Sequence, residues 1–376
     1  VAIAGNTVAV GGTGIVVSEG GFAIAGNEIA APRSDQRAHA DGIAVVPTRA
    51  GELVRDVVRI DGNRVRGVGG HGIVAYAPLQ TLEITGNRIE VAQHGVVIDE
   101  KASVEIATVA HNTVIDVGSR DSDEASGVFG IRVVNAARAT VESNIVRGVG
   151  TTRSMGGGSV GIDVVAVAES RVAGNTVDRV GPIDGGREEI GIAVRGFARA
   201  QIDGNASRRY PTDPDFDAAG GRFIGLLVGS LDERELDAGF TTAGGITTGL
   251  GAKVFGLGEA SAVSFERITA PAVTVDTNIV AGGSSDAPPA VIVGLRGDAI
   301  VTSNHAHGNQ EFGTLAMWVR AEAGTIAQNR LWGGREPTAE LHIAGPAVLG
   351  NLSTGLIMLN GAALAAPWDT LNVIGI

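Results

Sequence analysis

The sequence predicts an all-β fold, a parallel β-helix (solenoid) of roughly 12–14 coils with three short strands each. Three observations predict it. An asparagine recurs along nearly the whole chain. An aliphatic residue stands three positions before it every time. A Gly-Ile or Gly-Val step with alternating aliphatics follows most of them.

The asparagines are Asn6, Asn27, Asn63, Asn87, Asn112, Asn144, Asn175, Asn205, Asn278, Asn304, Asn329 and Asn351. The aliphatic before them, as in Ile3, Ile24, Ile60, Ile84, Val109 and Val141, closes a short strand that ends at the asparagine. The asparagine itself is expected to turn a corner, because it tolerates left-handed backbone. Stacked on its equivalents, its amide would satisfy corner groups otherwise buried without partners, forming an Asn ladder. A second strand follows at Val8, Ile29, Val65, Ile89, Val114, Val146 and Val177. The third begins at "GIVV" 14–17, "GIAV" 42–45, "GIVA" 72–75, "GVVI" 95–98, "GIRV" 130–133, "GIDV" 161–164 and "GIAV" 191–194. Period-2 alternation over so few residues means strands with one buried face, and no segment sustains a 3.6-residue period. Coils stacked at ~4.8 Å would give a rod of roughly 60–70 Å.

Composition agrees. Aliphatics dominate a chain that is 44% hydrophobic but only 4% aromatic, with 57 glycines for tight turns. No apolar run nears the ~20 residues that span a bilayer, so no membrane insertion is expected. The net charge of −12 disfavours nucleic acid and anionic membrane as main partners. Cysteine is absent, which removes disulfides and thiolate metal sites. The Ala/Gly/Val/Arg bias points to GC-rich coding and a bacterial or phage source. The start at Val1, already inside a strand, suggests a trimmed chain with an N-terminal neighbour.

With "IAGN", "ITGN" and "VAGN" as carrying motifs, residues 1–205 and 262–360 resemble the right-handed, single-stranded parallel β-helix proteins of the pectate-lyase-like superfamily. The resemblance implies fold and says little of function, because that superfamily spans lyases, hydrolases, epimerases, tailspikes and passive adhesins.

The regular pattern breaks in three places. The step from asparagine to the next Gly-aliphatic strand is 9 or 10 residues after Asn6, Asn63 and Asn87, then 17 to 21 in the four consecutive coils from Asn112 to Asn205. Long loops at 113–130, 145–161, 176–191 and 206–224 should therefore stand side by side as a wall on region 1–223. Between Asn205 and Asn278 the signature vanishes, so 224–261 is either degenerate coils or an insertion before the coils of 262–360. Residues 361–376, with Pro367 and Trp368, read as a C-terminal cap or docking segment, since solenoid ends expose core and strand edges.

The loop wall carries most candidate chemistry. Asp121, Asp123, Asp184, Glu188 and Asp213 are the candidate acids and bases, and Glu124 and Glu189 are further carboxylates. Arg153, Arg187, Arg209 and Tyr210 are candidate ligand contacts. In enzymes of this fold such clusters hold calcium or act as a carboxyl pair on a sugar. Asp213, Asp215 and Asp217 resemble the start of a calcium loop, but Ala218 replaces the turn glycine and Ile224 the twelfth-position acid. Asp41, His71 and His94 precede three successive Gly-aliphatic strands and should form one column, able to ligate a metal or relay protons. The same column continues as Phe129, Val160, Ile190 and Ile224, which favours a structural role for its polar members. "NHAH" sets His305 and His307 on one face, and Trp332 with Arg330 and Arg335 offers a second contact surface.

"GGSVG" at 157–161 and "GVGGHG" at 67–72 fit nucleophile-elbow and dinucleotide patterns but lack the helix each requires. The scarcity of aromatics in the loop wall argues against a sugar-cleaving cleft. The expectation is a non-catalytic structural or binding module of a larger surface, tail or injection assembly, extracellular or particle-associated. Neighbouring domains or subunits are its expected partners, with a glycan ligand and homo-oligomers also in view. The alternative is a polysaccharide lyase or glycoside hydrolase working through residues 119–217 on an acidic or bacterial polysaccharide. No cofactor other than calcium is implied.

Overall fold

In the computed structural model the described residues are 1–18, 21–31, 40–47, 54–118, 127–151, 158–181, 188–209, 222–229, 271–282, 289–308, 315–333 and 337–375. They form an all-β molecule of parallel sheets, consistent with a parallel β-solenoid. Among them no helix is long and apolar enough to cross a membrane.

Hydrogen bonding joins the strands into two sheets. One, of 13 strands, contains only the segments after the asparagines, such as Arg64–Arg66, Arg88–Glu90, Thr113–Val117 and Ile145–Val149, each paired in parallel with the next. The other, of 21 strands, holds the Gly-aliphatic strands and those ending at the asparagine. The two kinds share a sheet because several coils run them together, as in Val128–Glu142, Ser159–Ala173, Met317–Ala327 and Ala339–Leu349.

Register follows the sequence repeat. Ile43, Ile73, Val96, Ile131, Ile162 and Ile192 pair in succession, and the aliphatics three before each asparagine do the same. Their side chains stack into one continuous core running through the molecule. The glycine before each Gly-aliphatic strand makes room for that core. At Gly95 a Cβ would sit 2.1 Å from the Gly130 carbonyl oxygen and 2.5 Å from Val114 Cγ1.

The asparagines form the expected ladder. Each side-chain oxygen accepts the backbone N–H of the previous asparagine at 2.9–3.0 Å and its Nδ2 at 2.8–3.1 Å. Each Nδ2 beyond the first also donates to the carbonyl of the aliphatic three before the previous asparagine, as Asn144 does to Val109 at 2.8 Å. The amides are thus satisfied although the ladder is buried from Asn27 to Asn351. The left-handed backbone lies elsewhere than expected. The residue before each of the twelve asparagines has positive φ, such as Gly86 at 64°, His111 at 57°, Ser143 at 53° and Gln328 at 57°. The asparagine keeps ordinary φ and spends its side chain on the stack.

Described strands flank two of the breaks in the pattern. Strand Arg222–Gly229 crosses the expected boundary at 223/224 and pairs with Glu188–Arg195 on one side and Val291–Gly294 on the other. Strand Arg199–Asp203 pairs directly with Ala272–Asp276, and Asn205 bonds to Asn278. Strands Arg199–Asp203 and Ala272–Asp276 are therefore stacked neighbours, and residues 230–270, with most of the expected 224–261 segment, lie outside the described residues. At the C-terminus Ile357–Leu359 turns back antiparallel to Ala362–Ala363, and a 3-10 turn spans Trp368–Leu371. The chain then rejoins the repeat: Asn372 accepts from Asn351 at 2.8 Å, and Val373–Ile374 pairs with Leu352–Ser353. Asn372 thus extends the ladder, and Leu364 and Trp368 pack against the core.

Candidate functional site

The Gly-aliphatic strands alternate inward and outward residues, so their outer face is a set of columns running along the stack. One such column is Ala44, Val74, Val97, Arg132, Asp163, Ala193, Leu227, Ile292 and Trp318 in paired register. Beside it runs the column expected from sequence, from Asp41 to Ile224.

The polar members of these columns contact one another in series. Asp41 Oδ1 accepts the backbone N–H of His71 at 2.8 Å and lies 2.9 Å from its Nδ1. A carboxylate oxygen accepts, so it is an Nδ1–H of His71 that faces Asp41. Tyr76 Oη stands 3.4 Å from the same Nδ1, its ring edge-on to the imidazole. Burial, then the charges of Asp41 and Asp99, push the Tyr76 phenol up to about 12. His71 stacks on His94 at 4.9 Å between centroids, and His94 on Phe129 at 5.9 Å. Burial first, then His71 and Arg132, drive His94 down to about 3. The Arg132 guanidinium lies 4.3 Å above the Phe129 ring centre, with its Nε 3.4 Å from Asp163. Asp163, wholly buried, takes Arg195 at 2.5 Å on its other oxygen.

This arrangement holds the His71 imidazole in one orientation beside a protonated phenol, over an apolar floor of Ala44, Val74 and Val97. It does not gather metal ligands. Among the described residues no group of three or more His, Asp or Glu is placed to hold an ion, and the two imidazoles meet face to face. Farther along, the face turns apolar: Phe129, Val160, Ile190, Ala193, Ile224, Leu227, Ile292 and Trp318 form a buried cluster separate from the main core.

The stems of the four long loops stand in register, as Val117, Val149 and Val180 pair on one side and Val128, Ser159, Glu189 and Phe223 on the other. Asp121, Asp123, Glu124, Arg153, Asp184, Arg187, Tyr210, Asp213, Asp215 and Asp217 lie outside the described residues, as does the side chain of Glu188. Arg209 is described, and it is not a surface contact. It is 4% exposed and its Nε lies 3.1 Å from Glu189, itself 0% exposed, so the two form a buried ion pair at the stems of the third and fourth loops. His305 and His307 lie on the 13-strand sheet, where the His307 ring stacks on Trp332 at 4.5 Å.

Sequence reasoning missed Tyr76, Arg132, Asp163 and Arg195. The third residue of each Gly-Ile-X-aliphatic motif is a readable signal, since Arg132 and Asp163 occupy an outward position otherwise held by apolar residues in early coils. Comparison with protein-family models, curated proteins and solved structures finds no match for this chain.

Proposed function

We propose that this chain is a right-handed, single-stranded parallel β-helix of three strands per coil, akin to the pectate-lyase-like superfamily. Its role in this reading is a non-catalytic structural and binding module of a larger bacterial or phage-like surface, tail or injection assembly, with a glycan as ligand. One observation carries it: the asparagine stack runs unbroken from Asn6 to Asn372, while the charged groups of the most elaborate outer face are consumed by one another. A buried Asp163 held by two arginines and a His94 kept neutral stiffen a surface; neither is poised to turn over a substrate. A glycan array with calcium present and absent, paired with an assay for cleavage of every glycan bound, tests this. Binding without cleavage supports the module, and measurable turnover overturns it.

A second reading, a polysaccharide lyase or glycoside hydrolase, is favoured by the oriented His71 beside Tyr76. It places the chemistry on the sheet face, apart from the loop carboxylates. Under it, His71→Ala and Tyr76→Phe each abolish turnover of a cleaved glycan, whereas Asp121→Ala, Asp184→Ala and Asp213→Ala leave it intact.

A further inference from the structure

The 13-strand sheet has an outer face whose charge the whole chain conceals. In its three-residue strands the middle side chain is buried, so the first and third residues point away from the core, as in Arg64–Arg66 and Arg88–Glu90. Across the sheet these outward positions hold six arginines, at 64, 66, 88, 147, 208 and 330, against three carboxylates, Glu28, Glu90 and Asp178. A chain of net charge −12 thus presents one face with an excess of three positive charges.

The charge is clustered. Arg64, Arg66 and Arg88 converge on the single carboxylate of Glu90, at 3.3, 3.8 and 2.5 Å. Burial alone would raise the Glu90 carboxyl, but hydrogen bonds from Arg88 and Arg64 and their charges outweigh it and hold it below the usual range. Three guanidiniums about one carboxylate leave two positive charges on adjacent coils, with each arginine side chain about half exposed. Farther along, Arg147 and Arg208 flank Asp178 in consecutive coils, and Ala281, His307 and Trp332 continue that column. Positive charge therefore recurs along the stack at multiples of the ~4.8 Å coil step.

We propose that this face docks a linear anionic polysaccharide laid along the stack, its carboxylate or sulfate groups meeting the arginines. Arginine suits such groups because its planar fork pairs with both oxygens. Recurrence along the axis fits a polymer of repeated charge better than a compact anion. The inference rests on the glycan-binding part of the reading above and adds the ligand's charge and the face that takes it.

The test is binding of the whole chain, at low and physiological salt, to a linear polyuronate, dextran sulfate, neutral dextran and a single-stranded oligonucleotide of matched charge. The expected result is binding to the two acidic polysaccharides, weakened by salt because exposed charges are screened, with neutral dextran unbound. The triple variant R64Q/R66Q/R88Q should bind about tenfold more weakly or worse. Arg171→Gln, which alters an ion pair with Glu142 on the other sheet, should leave binding unchanged. Equal melting temperatures for parent and variants keep folding out of the comparison. Binding of neutral dextran alone, tighter binding of the oligonucleotide, or a triple variant equal to the parent overturns the inference. The first and last of these leave glycan binding standing, whereas binding to no glycan at all removes both.

Discussion

Asn205 Nδ2 donates to Asn278 Oδ1 at 2.9 Å, although 73 residues separate them in sequence. The backbone N–H of Asn205 reaches the same oxygen at 3.0 Å. Everywhere else the ladder joins residues 21 to 36 positions apart, with the same bonds at the same lengths. The ladder bonds are unchanged across this interval, where residues 230–270 link Gly229 to Pro271. In the coil before, that link is only Gly196–Ala198, between strands Glu188–Arg195 and Arg199–Asp203.

Replacing residues 230–270 with a short Gly-Ser linker should therefore leave the fold intact. Far-ultraviolet circular dichroism and the cooperativity of thermal unfolding are expected to match the parent. Loss of cooperative unfolding would mean that the interval contributes a coil of its own.

Asn144→Ala should be costly and Asn6→Ala cheap. Asn144 is 0% exposed, accepts two bonds from Asn112, and donates to Val109 and Asn175. Its loss strands several buried groups at ~1–3 kcal/mol each, so a destabilisation of about 3 kcal/mol or more is expected. Asn6 sits at the exposed end of the ladder and should lose less than about 1 kcal/mol. Urea unfolding of both variants gives the comparison, and equal losses would argue against a cooperative ladder.

Gly95→Ala should destabilise by at least about 1–3 kcal/mol, because its Cβ would collide with Gly130 backbone and with Val114. Gly12→Ala, with nothing within 4 Å of the added carbon, should be neutral. Thermal melts of the two variants decide this.

The repeat was legible because its physics is local. Each asparagine announces itself through an aliphatic three positions earlier, and the structure shows that this residue's carbonyl receives the next amide of the stack. Asn372 escaped notice for the same reason: Asp369 stands where the aliphatic should be, and only the third-dimensional stack identifies it. The Asp41–His71–His94 column could be read from spacing, whereas its partners could not. Tyr76 joins His71 from five residues farther along the chain, just past the end of its strand, and Arg195 reaches Asp163 diagonally from the next coil. Arg209 reads as a surface cation in a polar stretch, and only the fold reveals that it turns inward to Glu189.

Acid should expose the role of His94. Its folded pKa of about 3 lies below the ordinary 6.5, so the folded state refuses a proton that the unfolded chain accepts. Stability is then complete above pH 6.5 and falls as pH drops toward 3, by an amount on the order of 5 kcal/mol when fully developed. His94→Phe, which extends the ring stack with Phe129, should flatten that part of the pH profile. An unchanged acid limb in the variant would place the lability elsewhere.

The most direct measurement of the stack uses the absence of native cysteine. Ala206 and Ile279 are register partners on adjacent strands of the 13-strand sheet, the first residues after Asn205 and Asn278. Parallel neighbours lie ~4.8 Å apart, within reach of a disulfide. In the double variant A206C/I279C, mild oxidation is predicted to close one intramolecular bond in nearly every molecule, detectable by mass and by faster migration on a non-reducing gel. Two thiols that stay free, or that link only between molecules, would contradict the direct stacking of these coils.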